Sequence, residues 1–169
     1  MSLTQPLRDE HRAMLPHIEK LRAIADSIDE LPVKALRQAV DEVYEFLTCE
    51  LIPHAHAEDR VLYRAISKVL GAPQATATMW RDHLEIERFT QEITALRQQI
   101  SGKSIEPSVV TSLRRVLYSL YAVTRLHLAK EEEIYLPLLE VGLTANEMQR
   151  LFDALEEAEH DCKAQPVSG

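Results

Sequence analysis

LTCELIPHAHAEDRV, residues 47–61, carries His54 and Glu58 where an amphipathic helix would place leucine or valine. Upstream and downstream, Leu36, Val40, Val43, Leu47, Leu51, His54, Glu58 and Val61 step by three and four, the spacing of one helical face. A second stretch repeats the pattern: Leu113, Val116, Leu120, Val123, His127, Glu131, Ile134 and Leu138. Two further stripes each hold a histidine, Leu7, His11, Met14, Ile18, Leu21, Ala25 and Ile28 in one, and Met79, His83, Ile86, Thr90, Ile93 and Ile100 in the other. No window alternates with period two for long enough to make a strand.

Breakers separate the four stripes: Asp29-Glu-Leu-Pro32, Gly71-Ala-Pro73, and Ser101 to Pro107. Connections this short make successive helices antiparallel neighbours. The expected fold is therefore an all-α, up-and-down antiparallel four-helix bundle. Thr144-Ala-Asn-Glu147 reads as a capping box opening a short C-terminal fifth helix, with Met148, Leu151 and Leu155 on one side. One domain is expected over residues 1–163, followed by a loose tail at 164–169. Pro16, Pro53 and Pro137 fall inside the helical windows, and each should kink or split its helix by removing a backbone hydrogen bond.

Charged groups in a core need partners, because an unpaired buried carboxylate costs several kcal/mol or more. Counted from the first turn, His11 and His54 stand about one helical turn apart in height, and the other two connections bring His83 and His127 to the same level. All four helices deliver polar residues to one layer. His54-x-x-x-Glu58 and His127-x-x-x-Glu131 each set an imidazole and a carboxylate one turn apart, and His83-x-x-x-Glu87 offers a third pair at the edge of its stripe. Two ions about 3.5–4 Å apart need terminal nitrogen ligands and carboxylates able to bridge. Mixed imidazole and carboxylate ligation suits iron or manganese, with zinc possible, and the lack of sulfur in the layer disfavours a zinc knuckle or an iron–sulfur cluster.

These residues resemble the pattern of the hemerythrin family, the HHE cation-binding domain, over about residues 7–140. The family has a lone His on the first helix, His-x-x-x-Glu on the second, a His on the third, and His-x-x-x-Asp or Glu on the fourth; here these read His11, His54 with Glu58, His83, and His127 with Glu131. The resemblance implies two non-haem irons bridged by Glu58 and Glu131, His11 and His54 completing one, His83 and His127 the other. It departs at Glu87, where oxygen carriers have a second histidine. Glu87 either ligates there or leaves that iron more open. Reversible oxygen carriage becomes less favoured, and peroxide-handling, oxidative or sensing chemistry more so. The implied functions are binding or sensing of oxygen, nitric oxide or iron, and, as the alternative, a peroxide-decomposing or oxidative enzyme. Iron storage fits poorly, because one site in a small chain stores little.

The bland alternatives weigh differently for different residues. A single His-x-x-x-Glu is usually a surface ion pair worth a few tenths of a kcal/mol; two on apolar stripes, with His11 and His83 at matching depth, are hard to read that way. His56 and His160 read as surface residues and His17 as structural. Glu132, Glu133 and Asp59 read as a charged outer face, although Asp59 would exchange with Glu58 if Pro53 shifted the register. Among the tyrosines, Tyr118 and Tyr121 on the fourth helix are the candidates to stand near a metal, with core packing the simpler role.

Composition bounds the rest. The chain has 169 residues, a net charge of −8 and no basic stripe, which excludes nucleic acid and anionic membrane as expected partners. A small diatomic ligand or peroxide at the metal is the expected partner. With two cysteines, a charged N-terminus and no long apolar run, the expected setting is cytoplasmic.

Overall fold

Helix α1 runs Gln5–Ser27, with a proline in its first turn, where the missing N–H has no helical partner to lose. A computed structural model describes residues 2–102 and 104–164. The second long helix has five consecutive parts: α2 (Val33–Phe46), a π-helical turn (Leu47–Leu51), α3 (Ile52–Ala57), a second π turn (Glu58–Leu62) and α4 (Tyr63–Leu70). It stops at Gly71, whose φ of 63° reverses the chain while the N–H groups of Gly71 and Ala72 close on the carbonyls of Lys68 and Ser67. Then come α5 (Ala77–Arg97), α6 (Pro107–Lys130), a third π turn (Glu131–Tyr135), α7 (Leu136–Gly142) and α8 (Ala145–Ala164).

Ion pairs fix the sense of packing. Arg8 pairs with Glu132 at one end of α1 and Arg114 with Asp29 at the other, so α1 and α6 are antiparallel. Arg97 near the end of α5 pairs with Asp41 in α2, while Lys130 near the end of α6 pairs with Asp82 early in α5. The four long helices are an up-and-down bundle, as expected. No helix among the described residues is long and apolar enough to cross a membrane.

The core is divided in two. One cluster holds Met14, Ile18, Leu21, Val43, Leu51, Ile86, Ile93, Leu117 and Leu120, and the other Leu7, Leu62, Ile66, Met79, Leu136, Leu139, Met148 and Leu151. Every long helix crosses from one cluster to the other at its histidine: Leu7 to Met14 through His11, Leu51 to Leu62 through His54 and Glu58, Met79 to Ile86 through His83, and Leu120 to Leu136 through His127 and Glu131. The polar layer thus separates two hydrophobic blocks.

Four details differ from the sequence reading. The fifth helix is not short: α8 has 20 residues and packs on α3 and on the π turn of Glu58. Its capping box forms as read, with Thr144 N donating to Glu147 Oε2 at 2.9 Å and Glu147 N donating to Thr144 Oγ1 at 3.4 Å. Of the expected tail, Ala164 closes α8 and residues 165–169 lie outside the described residues. Pro16 does not split α1; it is on the exposed side, where water can serve the carbonyl it leaves unpaired. Pro53 and Pro137 each follow a π turn, whose extra residue moves the carbonyls that the proline ring would otherwise strike. The fourth difference is register. Beyond Glu131 the inward positions pass to Tyr135, Leu136 and Leu139 while Ile134 is 51% exposed, and beyond Glu58 they pass to Leu62, Tyr63 and Ile66 rather than Val61.

Candidate metal centre

The register shift starts at the two glutamates themselves. Tyr63 N–H donates to the Glu58 carbonyl and Leu136 N–H to the Glu131 carbonyl, five residues back instead of four. Each carboxylate therefore opens a wide turn in the middle of the core.

Six of the expected residues meet there, all buried: His11, His54, Glu58, His83, His127 and Glu131. They form two sets around one carboxylate. Glu58 Oε1 lies 3.0 Å from His54 Nε2 and 3.8 Å from His11 Nε2. Its other oxygen, Oε2, lies 3.3 Å from His83 Nε2 and 3.7 Å from His127 Nε2. Glu131 Oε2 spans the same gap, 3.4 Å from His11 Nε2 and 3.6 Å from His127 Nε2. Ligand atoms of His11, His54 and Glu58 lie within 4.8 Å of one another, as do those of Glu58, His83 and His127.

Buried polar atoms almost always have hydrogen-bond partners, and an exception asks for a reason. Both Glu58 oxygens, Glu131 Oε2, His11 Nε2 and His54 Nε2 make no hydrogen bond although all are buried. All five belong to the two sets or, for Glu131 Oε2, span them. The donor types and these orphaned atoms fit cations held by imidazole and carboxylate.

The outer nitrogens explain why the rings hold their positions. His11 Nδ1 contacts Glu132 Oε1 at 2.8 Å, His83 Nδ1 contacts Asp59 Oδ1 at 3.0 Å, and His127 Nδ1 contacts Asp82 Oδ2 at 3.3 Å. Carboxylates on the far nitrogen set the ring's orientation and leave Nε2 free to ligate. Glu132 and Asp59 are thus not merely an outer charged face, and Asp59 does not exchange with Glu58. The residue after each wide-turn glutamate reaches the histidine of a neighbouring helix. His54 is the exception, its Nδ1 3.6 Å from Glu10.

Tyr63 completes the layer. Its hydroxyl donates to Glu131 Oε1 at 2.7 Å and stands 3.4 and 3.3 Å from the Nε2 atoms of His83 and His127. Tyr118 and Tyr121 are elsewhere, directed to Asp26 and Glu19. Glu87 also stands apart: it is partly exposed and contacts His56 Nε2 at 2.6 Å. His17 stacks on Phe46 at 4.8 Å between ring centroids, and His160 is exposed.

Without a cation, protons occupy this layer. Burial opposes charge on His54 and His83, yet the carboxylates outweigh it and raise them to about 9 and about 10, Glu58 acting on the first and Asp59 with Glu58 on the second. His11 and His127 also rise against burial, through Glu58 and Glu131. Burial opposes ionisation of Glu58 too, but the histidines hold it well below the carboxylate range. Glu131 rises, through burial and the negative charge of Glu58. Burial, then Glu58 and Glu131, lift the Tyr63 phenol far above its ordinary value.

A bundle whose core is interrupted by two imidazole pairs about shared carboxylates defines a metal-binding helical protein. The chain matches the family model described as hemerythrin HHE cation binding domain over residues 2–139, and it belongs to that family. No curated protein and no solved structure gives a significant match.

Proposed function

We propose that the centre holds two iron ions bridged by Glu58 and Glu131, one completed by His11 and His54 and the other by His83 and His127, and that the protein binds oxygen, nitric oxide or iron itself. The observation that carries this reading is the division of the two Glu58 oxygens between two histidine pairs, with neither oxygen hydrogen-bonded. His11, His54, His83 and His127 with the two glutamates would hold the ions, and a small exogenous ligand would bind to them there. When bound, iron supplies the redox-active, ligand-binding chemistry. The chain's own part is to orient each imidazole through Glu132, Asp59 and Asp82 and to shield the layer between two apolar blocks. Binding also requires the raised histidines to give up their protons.

A second reading, decomposition of peroxide to water and oxygen, draws on Tyr63. Its buried hydroxyl, beside His83 and His127 and already donating to Glu131 Oε1, would donate a hydrogen bond to a ligand in the layer and orient it. The test is metal analysis of protein purified under iron-replete conditions, with its ultraviolet–visible spectrum before and after peroxide. About two irons per chain and near-ultraviolet charge-transfer bands support the first reading; sustained oxygen evolution from peroxide favours the second. A single zinc with a featureless spectrum, or no metal, refutes both.

A further inference from the structure

One histidine of the layer is held differently from the others. His54 is 5% exposed, yet its Nδ1 lies beyond hydrogen-bond reach of the carboxylate nearest to it, Glu10 at 3.6 Å. This nitrogen faces a groove of about 580 Å³ between α1, α3 and α8. The charged residues lining the groove are Glu10, Glu50, Glu156, Glu159 and Lys163, with His160 beside them. Four carboxylates oppose one ammonium, so the groove attracts cations. Ligand atoms of Glu10, His54 and Glu159 lie within 4.8 Å of one another.

We propose that Glu10, Glu159 and His54 Nδ1 form an outer staging site that captures a divalent cation and delivers it to the buried centre; this rests on the metal-binding reading above. The imidazole of His54 is the wall between groove and centre, with Nδ1 toward Glu10 and Nε2 3.0 Å from Glu58 Oε1. No second ring is so placed, because Glu132, Asp59 and Asp82 hold the outer nitrogens of the other three. Carboxylates with one imidazole take hard and borderline divalent ions, and the half-exposed side chain of Glu10 can swing to hand one inward. Glu159 is paired with Lys163 Nζ at 2.7 Å, a surface contact that an arriving cation displaces.

The experiment is stopped-flow loading of the metal-free full chain with Co²⁺ at low ionic strength, followed by the cobalt ligand-field absorption, with final stoichiometry from elemental analysis. Glu10→Gln with Glu159→Gln is expected to slow loading about tenfold at unchanged stoichiometry, the size of effect a charged funnel exerts on capture. Lys163→Gln, which removes the competing ammonium, is expected to quicken loading by roughly threefold. Glu30→Gln with Glu106→Gln makes the same change of net charge at exposed positions away from the groove, and its rate should stay near that of the wild type. Equal loading by the groove variant, or equal slowing by the remote one, overturns the staging site and leaves the centre standing. Lost stoichiometry in the groove variant also overturns it, by making these glutamates part of the centre. A wild-type chain that takes up no cobalt overturns both proposals.

Discussion

Replacing Glu58 by glutamine keeps the shape of the side chain and removes the charge about which the layer is arranged. In the metal-free protein that charge is the main reason His54 rises from an ordinary 6.5 to about 9. A raised histidine stabilises the fold in full below its unfolded value of 6.5, and the contribution fades as pH rises, ending once pH passes the folded value. At pH 7 the folded value is about two units higher, and at about 1.4 kcal/mol per unit this gives about 3 kcal/mol from His54. The loss through His54 is capped near that figure, because an imidazole without its carboxylate can shed its proton instead of remaining a buried unpaired charge, and the other histidines that Glu58 raises add to it. Urea melts of metal-free wild type and Glu58→Gln from pH 6 to pH 10 should therefore show a gap of about 3 kcal/mol or more near neutrality that closes toward pH 10. His83, raised to about 10 partly by the same carboxylate, extends the closing to the upper end of that range. A gap independent of pH, or a variant more stable than the wild type at pH 7, would refute the reasoning, since either means that proton-charged histidines do not support the layer.

Tyr63→Phe deletes the donor to Glu131 Oε1 and should cost about 1–2 kcal/mol in the same melts; no loss would mean that this hydrogen bond contributes nothing net. Glu87→Gln should leave metal stoichiometry by elemental analysis unchanged, because Glu87 is turned to His56; loss of one ion per chain would put Glu87 in the centre. At Gly142, where α7 passes α4, an added Cβ would meet Val69 Cγ1 at 2.3 Å, so Gly142→Ala should lower stability by about 1–3 kcal/mol through overpacking, which a thermal melt reads directly.

How far the sequence could be read depended on whether a helix keeps its period. In α1 and α5, without π turns, every stripe residue from Leu7 to Ile28 and from Met79 to Ile93 is buried as the period requires. In the other two long helices the stripe stays on the core as far as Glu58, through an earlier wide turn at Leu47–Leu51, and as far as Glu131. Each then inserts a wide turn, and a count of three and four lands on Val61, only partly buried at the edge of the second cluster, and on Ile134, which is exposed. Tyr63 was missed for this reason: it is five residues beyond Glu58, a spacing that an α-helical count sends elsewhere. Glu132, Asp59 and Asp82 were legible only as neighbours of the ligand candidates, because nothing in a helical period shows that the next residue supports the histidine of a facing helix. The prolines at 53 and 137 carried a partial signal, since each marks a helix already distorted beside a glutamate.

The wide turns are also the link between fold and centre. A uniform α-helix would bring one residue of each successive turn to a given face, so two carboxylates and four imidazoles would compete with leucines for the same narrow stripes. The extra residue after Glu58 and after Glu131 turns the following apolar set, Leu62 with Ile66 and Leu136 with Leu139, into the second core block while leaving the carboxylates in the gap. The bundle thereby closes on both sides of a layer that it cannot fill with hydrocarbon. Each orphaned oxygen or nitrogen in that layer carries a desolvation cost of about 1–3 kcal/mol. A cation pair would satisfy all five at once in place of the protons that hold the metal-free layer together, and the same atoms thereby become the source of its affinity.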